Sequence, residues 1–293
     1  MVIGYIGIGD MGGPMARNIL KAGIDVVVYD IQQDKVDALV AAGAKAADSI
    51  EDVANRADIV MACLNTVDAS HAVAKAVSGG SAVRIFVDQS TTGPTVAKEL
   101  RSYFDGTEIQ MMDAPVSGMI EKAVDGTLTV ISSGPQDAFD AVKPAFDAMG
   151  ANVFWLGDIP GGGQMMKVLN NYINNVQSVG TSEGVTMGLK FGLDAQTMFD
   201  ILNVSTGRNS QTEGKLAEAV ITGVFSGGAN MKISQKDIGL GVLEGERLGA
   251  ATNAGRAARD TYDQAIADGG DKERSTAILK HVALKAGVTV EKP

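Results

Sequence analysis

A glycine-rich turn near the start of the chain restricts the fold more than any other feature. Gly7, Gly9 and Gly12 follow an apolar run at residues 2–8 that predicts a strand, and they precede an amphipathic stretch at 14–22 that predicts a helix. In such a unit the first glycine allows a tight turn, the second lets a pyrophosphate approach the backbone, and the third lets helix pack on strand. We therefore predict a dinucleotide site across this turn, whose other members include Asp10 and Met11.

An acidic residue follows the turn at the distance that such a site requires. Asp30 comes directly after the next predicted strand, about twenty residues beyond the glycines. Its carboxylate can accept hydrogen bonds from ribose hydroxyls, while its charge opposes a 2'-phosphate and neither Ile31 nor Gln32 supplies an arginine. We predict NAD rather than NADP as the cofactor. The alternative, a structural turn with Asp30 as a helix cap, explains neither the glycines nor the spacing.

Strand and helix patterns alternate over the first half of the chain. Short apolar runs predict strands, and amphipathic stretches between most of them predict helices. The predicted strands are residues 2–8, 25–29, 59–64, 84–87, 109–112, 128–131 and 153–155. Near-continuous apolar strands separated by helices are typical of a parallel sheet covered on both faces. We predict an α/β Rossmann-type doubly wound domain over residues 1–163.

The pattern changes after the three glycines at residues 161–163. Residues 164–191 contain no proline and predict one long helix. Further helical periods cover residues 195–202, 211–221, 233–248, 254–267 and 276–286. We predict an all-α domain over residues 164–293. Its small residues, such as Gly180 and Gly184, favour close helix packing, so we expect a homodimer or homotetramer formed through this domain.

Charge and composition exclude several classes of function. A formal net charge of -10, without a basic cluster that interleaves aromatics, argues against a nucleic-acid partner. The longest apolar runs are too short for a membrane span and Met1 leads directly into a strand, so we expect a cytoplasmic protein with no membrane partner. One cysteine, Cys63, and two histidines supply neither a disulfide nor a zinc-type cluster, and no metal is expected.

Polar groups further along the chain can face the same ligand. Residues 87–92 and 113–118 follow predicted strands, and ligands of doubly wound sheets lie beyond the carboxyl ends of the strands. Lys167 and Asn171 are four residues apart and therefore share one helix face. Such a pair usually lies on a solvated face, but this one follows the glycine run, where we expect the two domains to meet beside a cleft.

Four motifs, in order along the chain, identify a known family. They are GYIGIGDMGGPMARN at residues 4–18, DAPVSG at 113–118 with GTL at 126–128, GGGQMMKVLNN at 161–171, and Lys236 with Asp237. In these motifs the sequence resembles the β-hydroxyacid dehydrogenases, which include 3-hydroxyisobutyrate dehydrogenase, tartronate semialdehyde reductase and 2-(hydroxymethyl)glutarate dehydrogenase and are related to 6-phosphogluconate dehydrogenase. The resemblance spans almost the whole chain.

The resemblance implies how a small anionic substrate is held and how it reacts. It makes Lys167 the general acid/base, assigns the substrate carboxylate to Ser117 and Gly118, and makes Asn171 the residue that orients the substrate. The implied reaction is reversible hydride transfer between NAD and the carbinol carbon of a short hydroxy acid, without a metal. Lys167 takes up the hydroxyl proton as the hydride leaves.

The resemblance also implies which residues lie near the cofactor. Lys236 and Asp237 close the cleft from the helical domain, with Lys236 near both cofactor and substrate. The loops that line the cofactor contain Leu64, Asn65 and Thr91.

Several positions depart from the family's pattern. Met119 replaces a second glycine after Ser117-Gly118, and Lys122 replaces a later glycine. Asn65 replaces a common proline, and residues 251–253 replace a usual Leu-Pro. Because Met119 and Lys122 flank the carboxylate loop, these differences affect the choice of substrate more than the reaction.

Two other functions remain open at this point. An imine reductase of similar architecture is one, although those relatives generally lack the lysine at position 167. A non-catalytic NAD-sensing protein is the other, since fold alone does not imply catalysis. Arg208, in the polar segment 205–210, is either a surface residue or a second anionic anchor for a dicarboxylate or sulfonate.

Overall fold

The structure is a computed structural model that describes residues 1–290. The chain divides into two compact units, of which the first covers Met1–Lys167 and the second begins at Val168. The boundary predicted from the sequence was 163/164, so the observed division comes later, within a helix that continues from one unit into the other.

Nine strands form in the first unit. Their bounds are β1 Val2–Ile6, β2 Asp25–Tyr29, β3 Lys45–Ala46, β4 Ile59–Ala62, β5 Ile85–Asp88, β6 Gln110–Asp113, β7 Val116–Ser117, β8 Leu128–Ser132 and β9 Gly150–Trp155. The first six make one sheet in the order β3-β2-β1-β4-β5-β6, with all neighbours parallel. The Rossmann-type fold predicted from the sequence is confirmed.

The helices follow the alternation that the sequence predicts. In the first part of the chain they are α1 Gly12–Lys21, α2 Gln33–Val40, α3 Ile50–Arg56, α4 Val67–Val77, α5 Pro94–Ser102, α6 Ile120–Asp125 and α7 Gln136–Met149. The long helix α8 covers Gly162–Phe191, and it is followed by α9 Ala195–Asn203, α10 Lys215–Thr222, α11 Met231–Arg247, α12 Asn253–Ala267 and α13 Ile278–Lys285. Two 3-10 turns, Gly270–Lys272 and Ser275–Ala277, precede α13.

One part of the predicted sheet was wrong. The strands β8 and β9 belong to a separate three-stranded sheet, in which β7 is antiparallel to β8. Pro115 stands between β6 and β7 and has no N–H for a strand ladder, so the chain leaves the first sheet there. The strand β7 has two residues, which is too short for an alternating pattern of apolar and polar side chains, so it was not predicted.

Alternate residues of the central strands bury opposite faces of the first sheet. Tyr5 and Met61 pack on one side with α1 and α7, while Ile6 and Val60 pack on the other with α3 and α4. Both faces are apolar because a strand covered on both sides buries every side chain. The core therefore holds the sheet rigidly and leaves its carboxyl edge for ligands.

The second unit is helical in the part that the structure describes, with one isolated bridge between Asn230 and Arg274. Its core is built around Tyr262, which is buried and donates its hydroxyl to Asn175 on α8 at 3.2 Å. Tyr172, also on α8, accepts from the amide of Gly255 at 3.0 Å. Helix α8 is thus the element on which α11 and α12 are assembled. The all-helical prediction is confirmed.

Across the described residues, no helix has the length and apolarity that a membrane span needs.

Candidate active site

The glycine-rich turn connects β1 to α1 and is packed tightly at both ends. Gly7 has a φ of +81°, and its amide donates to the carbonyl of Tyr29 on β2 at 3.1 Å. A Cβ on Gly7 would collide with the carbonyl oxygen of Cys63, and one on Gly12 would collide with the carbonyl oxygen of Gly7. These two glycines are therefore required by the protein's own backbone.

Gly9 differs from Gly7 and Gly12 because no described residue beyond its chain neighbours crowds it. Apart from Gly9 and its two chain neighbours, no heavy atom of the described residues lies within 4 Å of the place that a Cβ on Gly9 would occupy. No described side chain caps the start of α1 either, where Met11 is the N-cap residue and Asp10 is exposed. An open glycine beside an uncapped helix start fits the pyrophosphate of a dinucleotide.

Asp30 follows β2 and braces the turn. Its Oδ2 accepts from the amide of Ile8 at 2.8 Å, and its Oδ1 accepts from the amide of Gln32 at 2.9 Å. Each carboxylate oxygen retains further lone pairs for a ribose hydroxyl. Helix α2 begins at Gln33 with Gln32 as its N-cap residue and without a side-chain cap, so Asp30 braces the turn and does not cap the helix. The following residue, Ile31, is 90% exposed.

The loops after β4 and β5 lie beside the glycine turn. The amide of Leu64 donates to Oγ of Ser90 at 2.9 Å, which ties the two loops together. Leu64 also approaches Gly7, since a Cβ there would lie 2.8 Å from its Cδ2. Thr91 is half-buried and Asn65 is exposed. The structure thus gathers the predicted cofactor residues of the first unit at one edge of the sheet.

Two carboxylates that the sequence analysis assigned no role lie buried at this edge. Asp88 and Asp113 end β5 and β6 and are partners in the strand register. Burial raises the pKa of Asp88 to about 6, although it accepts from the amide of Ser90 at 3.0 Å. Burial, followed by the nearby charge of Asp88, raises the pKa of Asp113 to about 6. The sequence feature that could have identified them is an aspartate at the end of each of two buried strands.

In the parent chain the free energy of unfolding is expected to fall as the pH rises, and the Asp88→Asn substitution should make this fall smaller. The pKa of Asp88 is about 6 in the folded chain, against 3.8 for an ordinary carboxyl, so the folded state binds the proton more tightly. The stability that this proton contributes is complete below about pH 4 and is lost as the pH rises through about 6, at about 1.4 kcal/mol for each pKa unit. Melting temperatures of the variant and the parent chain between about pH 5 and pH 8 measure the change.

A matched control for that experiment is Asp137→Asn. Asp137 is exposed, and a hydrogen bond from the side chain of Gln110 lowers its pKa, so its charge is constant over this pH range. The control should keep the parent slope of melting temperature against pH. If Asp88→Asn also keeps that slope, the protonation of Asp88 does not contribute to stability.

Cys63 does not behave as a nucleophile. Burial, followed by the charge of Asp88, raises the pKa of its thiol to about 12, so the reactive thiolate is not populated near neutral pH. No group of three or more His, Cys, Asp or Glu within residues 1–290 is arranged to hold a metal ion.

The predicted carboxylate loop lies in the second sheet and its following helix. Ser117 ends β7 and is half-buried, whereas Gly118 is exposed and has a φ of +140°. A Cβ on Gly118 would lie 3.2 Å from Cβ and Cδ of Lys122, so the aliphatic stem of that lysine packs beneath the loop. Met119 is 37% exposed. The two departures from the family pattern therefore flank the loop in space as well as in sequence.

The glycine run before α8 is a close packing site. A Cβ on Gly163 would collide with the carbonyl oxygen of Ile131, and one on Gly161 would lie 2.8 Å from the carbonyl oxygen of Pro94. The amide of Gly161 donates to Oδ1 of Asp113 at 3.1 Å. Lys167 follows in the second turn of α8 and is half-buried. The start of this helix is thus fixed to the carboxyl edge of the first sheet.

In the second unit three of the predicted residues form one cluster. Nδ2 of Asn171 donates to Oδ2 of Asp237 at 2.8 Å, and Nζ of Lys236 lies 3.3 Å from Oδ1 of the same carboxylate. The Asp237 side chain is 11% exposed. Asn171, on α8, is thereby held in one orientation by α11, and the second hydrogen of its amide nitrogen is not needed for that bond.

Arg208 lies on the surface of the second unit. Its Nε is 3.6 Å from Oε1 of Glu213, and both side chains are more than half exposed. This pair favours the surface-loop interpretation of Arg208. Its neighbours Ser210 and Gln211 both bond to Oδ1 of Asn174 on α8, at 3.1 Å and 2.8 Å.

Comparisons with known proteins cover both units. Residues 2–157 match the family described as the NAD binding domain of 6-phosphogluconate dehydrogenase, and residues 161–282 match the NAD-binding family of NADP-dependent 3-hydroxyisobutyrate dehydrogenase. The chain is 30% identical to 2-(hydroxymethyl)glutarate dehydrogenase of Eubacterium barkeri, over 98% of this chain and 97% of that protein. It is 35% identical to NAD-dependent L-serine dehydrogenase of Pseudomonas aeruginosa, over 89% of this chain and 90% of that protein.

Solved structures show the same architecture. The 3-hydroxyisobutyrate dehydrogenase of Mycobacterium tuberculosis, solved with L-serine, matches with a TM-score of 0.87 and 26% sequence identity. The match covers 95% of this chain and 98% of that one. The agreement therefore includes both the sheet unit and the helical unit.

Proposed function

Because this chain belongs to the β-hydroxyacid dehydrogenase family, we propose that it oxidises the hydroxyl group of a short β-hydroxy acid, with Lys167 exchanging the proton. The family makes it an NAD-dependent oxidoreductase of the 3-hydroxyisobutyrate dehydrogenase type. The observation that carries the finer proposal is the start of α8, because it is bonded to the sheet edge that also carries the glycine turn. Lys167 is thereby fixed relative to the cofactor site of its own unit.

Each side chain has one task in this reaction. NAD, when bound, accepts the hydride from the carbinol carbon. Nζ of Lys167, in its neutral form, accepts the hydroxyl proton as the carbonyl forms, and its ammonium returns that proton in the reverse direction. The hydroxyl of Ser117 and the amide of Gly118 hold the carboxylate, and the stem of Lys122 supports their loop. Anchoring the carboxylate orients the reacting carbon.

The names of the relatives define a substrate class. L-Serine, 3-hydroxyisobutyrate and 2-(hydroxymethyl)glutarate all contain a hydroxymethyl group on the carbon next to a carboxylate. They differ only in the third substituent of that carbon. The site of this chain has groups for the two shared functions, namely Lys167 for the hydroxyl and Ser117 with Gly118 for the carboxylate. We therefore assign it to 2-substituted 3-hydroxypropanoates.

A substrate panel tests the proposal directly. NADH formation is followed with these three acids and with one hydroxymethyl sulfonate, and at least one of the carboxylates is expected to be oxidised. Reduction of cyclic imines without oxidation of any hydroxy acid would replace the proposal with an imine reductase. NADH binding without turnover of any compound would indicate a non-catalytic NAD protein.

Asp30 is expected to determine the choice between NAD and NADP. Asp30→Asn should reduce the preference for NAD, measured as a ratio of kcat/KM values, by about tenfold or more, because the charge that opposes a 2'-phosphate is removed. The asparagine retains an acceptor oxygen for the amide of Ile8, and the melting temperature verifies that the turn is intact.

The matched control is Asp34→Asn. Asp34 lies four residues after Asp30 and is exposed in the first turn of α2. Its substitution should leave the coenzyme ratio unchanged. A parent enzyme that prefers NADP would contradict the assignment of Asp30.

We also propose a cytoplasmic homodimer or homotetramer, with a small anionic substrate as its ligand and no nucleic-acid or membrane partner. Apolar side chains on α8 support association through the second unit, since Met187 is 68% and Phe191 is 83% exposed. Gly180 and Gly184 lie on the same helix, with no described atom near either Cβ position. Sedimentation of the purified protein tests the assembly, and a monomer at micromolar concentration would contradict it.

A further inference from the structure

A buried polar cluster that the proposed chemistry does not use lies between β5, β6 and the start of α8. Its members are Asp88, Asp113 and Gln164, whose exposed fractions are 0%, 4% and 0%. Buried polar groups are costly unless each has a partner, and a fully bonded network makes the elements that it joins rigid. All three residues belong to the first compact unit.

Gln164 bonds to three backbone groups of a single loop. Its Oε1 accepts from the amides of Thr92 at 3.1 Å and Gly93 at 3.0 Å, and its Nε2 donates to the carbonyl of Ser90 at 2.6 Å. Because two partners are donors and one is an acceptor, only one orientation of the amide satisfies all three. The first turn of α8 is thus bonded to the loop that follows β5.

Asp113 binds backbone amides at the start of the same helix. Its Oδ1 accepts from the amide of Gly161, and its Oδ2 accepts from the amide of Gln164 at 2.8 Å. A carboxylate at a helix start is also favoured by the helix dipole. The backbone of Asp113 exchanges two hydrogen bonds with Ser133, at 3.1 Å and 2.8 Å, which joins the first sheet to the second.

The network reaches the loops that the family resemblance assigns to the cofactor. Ser90, which binds Gln164 through its carbonyl, accepts from the amide of Leu64 through its hydroxyl. Thr91 lies between Ser90 and Thr92, two of the three loop residues that Gln164 holds. Lys167 is three residues after Gln164, so the two are neighbours on one side of the helix, about 4.5 Å apart along its axis.

We propose that Gln164 and Asp113 are positioning residues, which fix the first turn of α8 against the loop 90–93 and thereby set the place of Lys167 relative to the cofactor-lining backbone. This inference rests on the proposed function of Lys167. It predicts that loosening the network lowers kcat more than it changes substrate KM, because the carboxylate is held by Ser117 and Gly118 on a different segment. Misplacement of a reacting group by about 1 Å can reduce a rate a hundredfold.

Gln164→Glu is the most informative variant, because the pH decides whether it resembles the original residue. A neutral glutamic acid can accept from the amides of Thr92 and Gly93 and donate its proton to the carbonyl of Ser90. An ionised one has no donor, and it adds a negative charge to a network that already holds the carboxylates of Asp88, bonded to Ser90 and Thr92, and of Asp113, bonded to the amide of residue 164. Lys167, a further charged group, lies three residues later on the same helix.

The expected result is a pH-dependent loss. At about pH 6 the kcat of Gln164→Glu should be within about threefold of the parent value, and by about pH 9 it should fall at least tenfold below it. Substrate KM and the Kd for NADH, measured by fluorescence titration, should stay within about threefold throughout. Melting temperatures over the same pH range show how much of the chain remains folded.

Gln136→Glu is the matched control. Gln136 is exposed at the start of α7 in the same unit and donates to Asp140, so its replacement adds a surface charge and removes one surface hydrogen bond without touching the buried network. Its kcat ratio to the parent should not vary with pH. A flat kcat ratio for Gln164→Glu in folded protein, with only the melting temperature changing, would show a purely structural network and would overturn the proposal.

A second variant keeps the test decisive if Gln164→Glu is unstable. Asp113→Asn preserves the shape of the side chain, but its amide nitrogen must face one of two donor amides, so a tenfold or greater loss of kcat is expected with little pH dependence. Normal kcat in folded Asp113→Asn contradicts the proposal. Failure of the proposed function gives a different result, because Lys167→Ala would then retain full turnover.

Discussion

Lys167→Ala is expected to reduce kcat for the oxidation of the best hydroxy acid by about a hundredfold to ten-thousandfold, the usual contribution of a general acid/base. The variant removes the only lysine in the first two turns of α8. The Kd for NADH should change by less than about threefold, because the glycine turn and Asp30 are unaffected. Stopped-flow and steady-state rates, together with fluorescence titration of NADH, provide these values.

Chemical rescue strengthens this test. Small primary amines added to Lys167→Ala should restore part of the rate, with an efficiency that depends on the basicity of the amine. Lys190→Ala is the matched control, since Lys190 lies near the end of the same helix and donates to the carbonyl of Ala286. Its kcat should equal the parent value. Turnover of Lys167→Ala close to that of the parent would remove Lys167 from the mechanism.

The second large effect is expected for Gly9→Ala, which should weaken NADH binding by about tenfold or more while the melting temperature hardly changes. No described atom approaches the new methyl group in the protein itself. The methyl group would instead occupy the space through which the pyrophosphate reaches the backbone. The substitution is therefore expected to change the affinity for NADH without changing the stability of the protein.

Two other glycines provide the comparison. Gly12→Ala should lower the melting temperature by several degrees, because its Cβ collides with the carbonyl of Gly7. Gly79→Ala, at an ordinary distance of 3.8 Å from the carbonyl of Ala76 and outside the turn, should change neither property. If Gly9→Ala binds NADH as tightly as Gly79→Ala does, the pyrophosphate does not pass Gly9.

Local patterns in the sequence were sufficient to predict the strand-turn-helix unit and the place of Asp30 beside it. The spacing of Gly7, Gly9 and Gly12 and the distance to Asp30 follow from the geometry of one strand-turn-helix unit. The structure adds that Asp30 braces the turn through the amide of Ile8, a contact across 22 residues. Periodicity alone does not reveal which donor a carboxylate selects.

The cluster around Gln164 shows why the rest could not be predicted. A glutamine after three glycines looks like an ordinary helix former, and its partners Thr92 and Gly93 are 72 and 71 residues away. Its burial depends on how the loop after β5 meets α8, which is a property of tertiary packing. The two-residue strand β7 was missed for a related reason, since pairing with β8 defines it rather than its own two residues.

Asn171 illustrates an intermediate case. Helix spacing placed it on the same face as Lys167, but its partner Asp237 is 66 residues away on α11. The family motifs brought Lys236 and Asp237 to attention without indicating that Asp237 binds Asn171. Only the coordinates show that one carboxylate holds both Asn171 and Lys236.

The division of the chain after Lys167 has a consequence for how relatives of this protein can diverge. The glycine turn, Asp30, the carboxylate loop and Lys167 all lie upstream of this point, whereas Asn171 and the Asp237 cluster lie downstream. A recombination event at codon 168 would transmit the glycine turn, Asp30 and the proposed proton-transfer residue Lys167 as one inherited block. The downstream block, with Asn171 and Asp237, would then be free to evolve separately from the carboxylate loop.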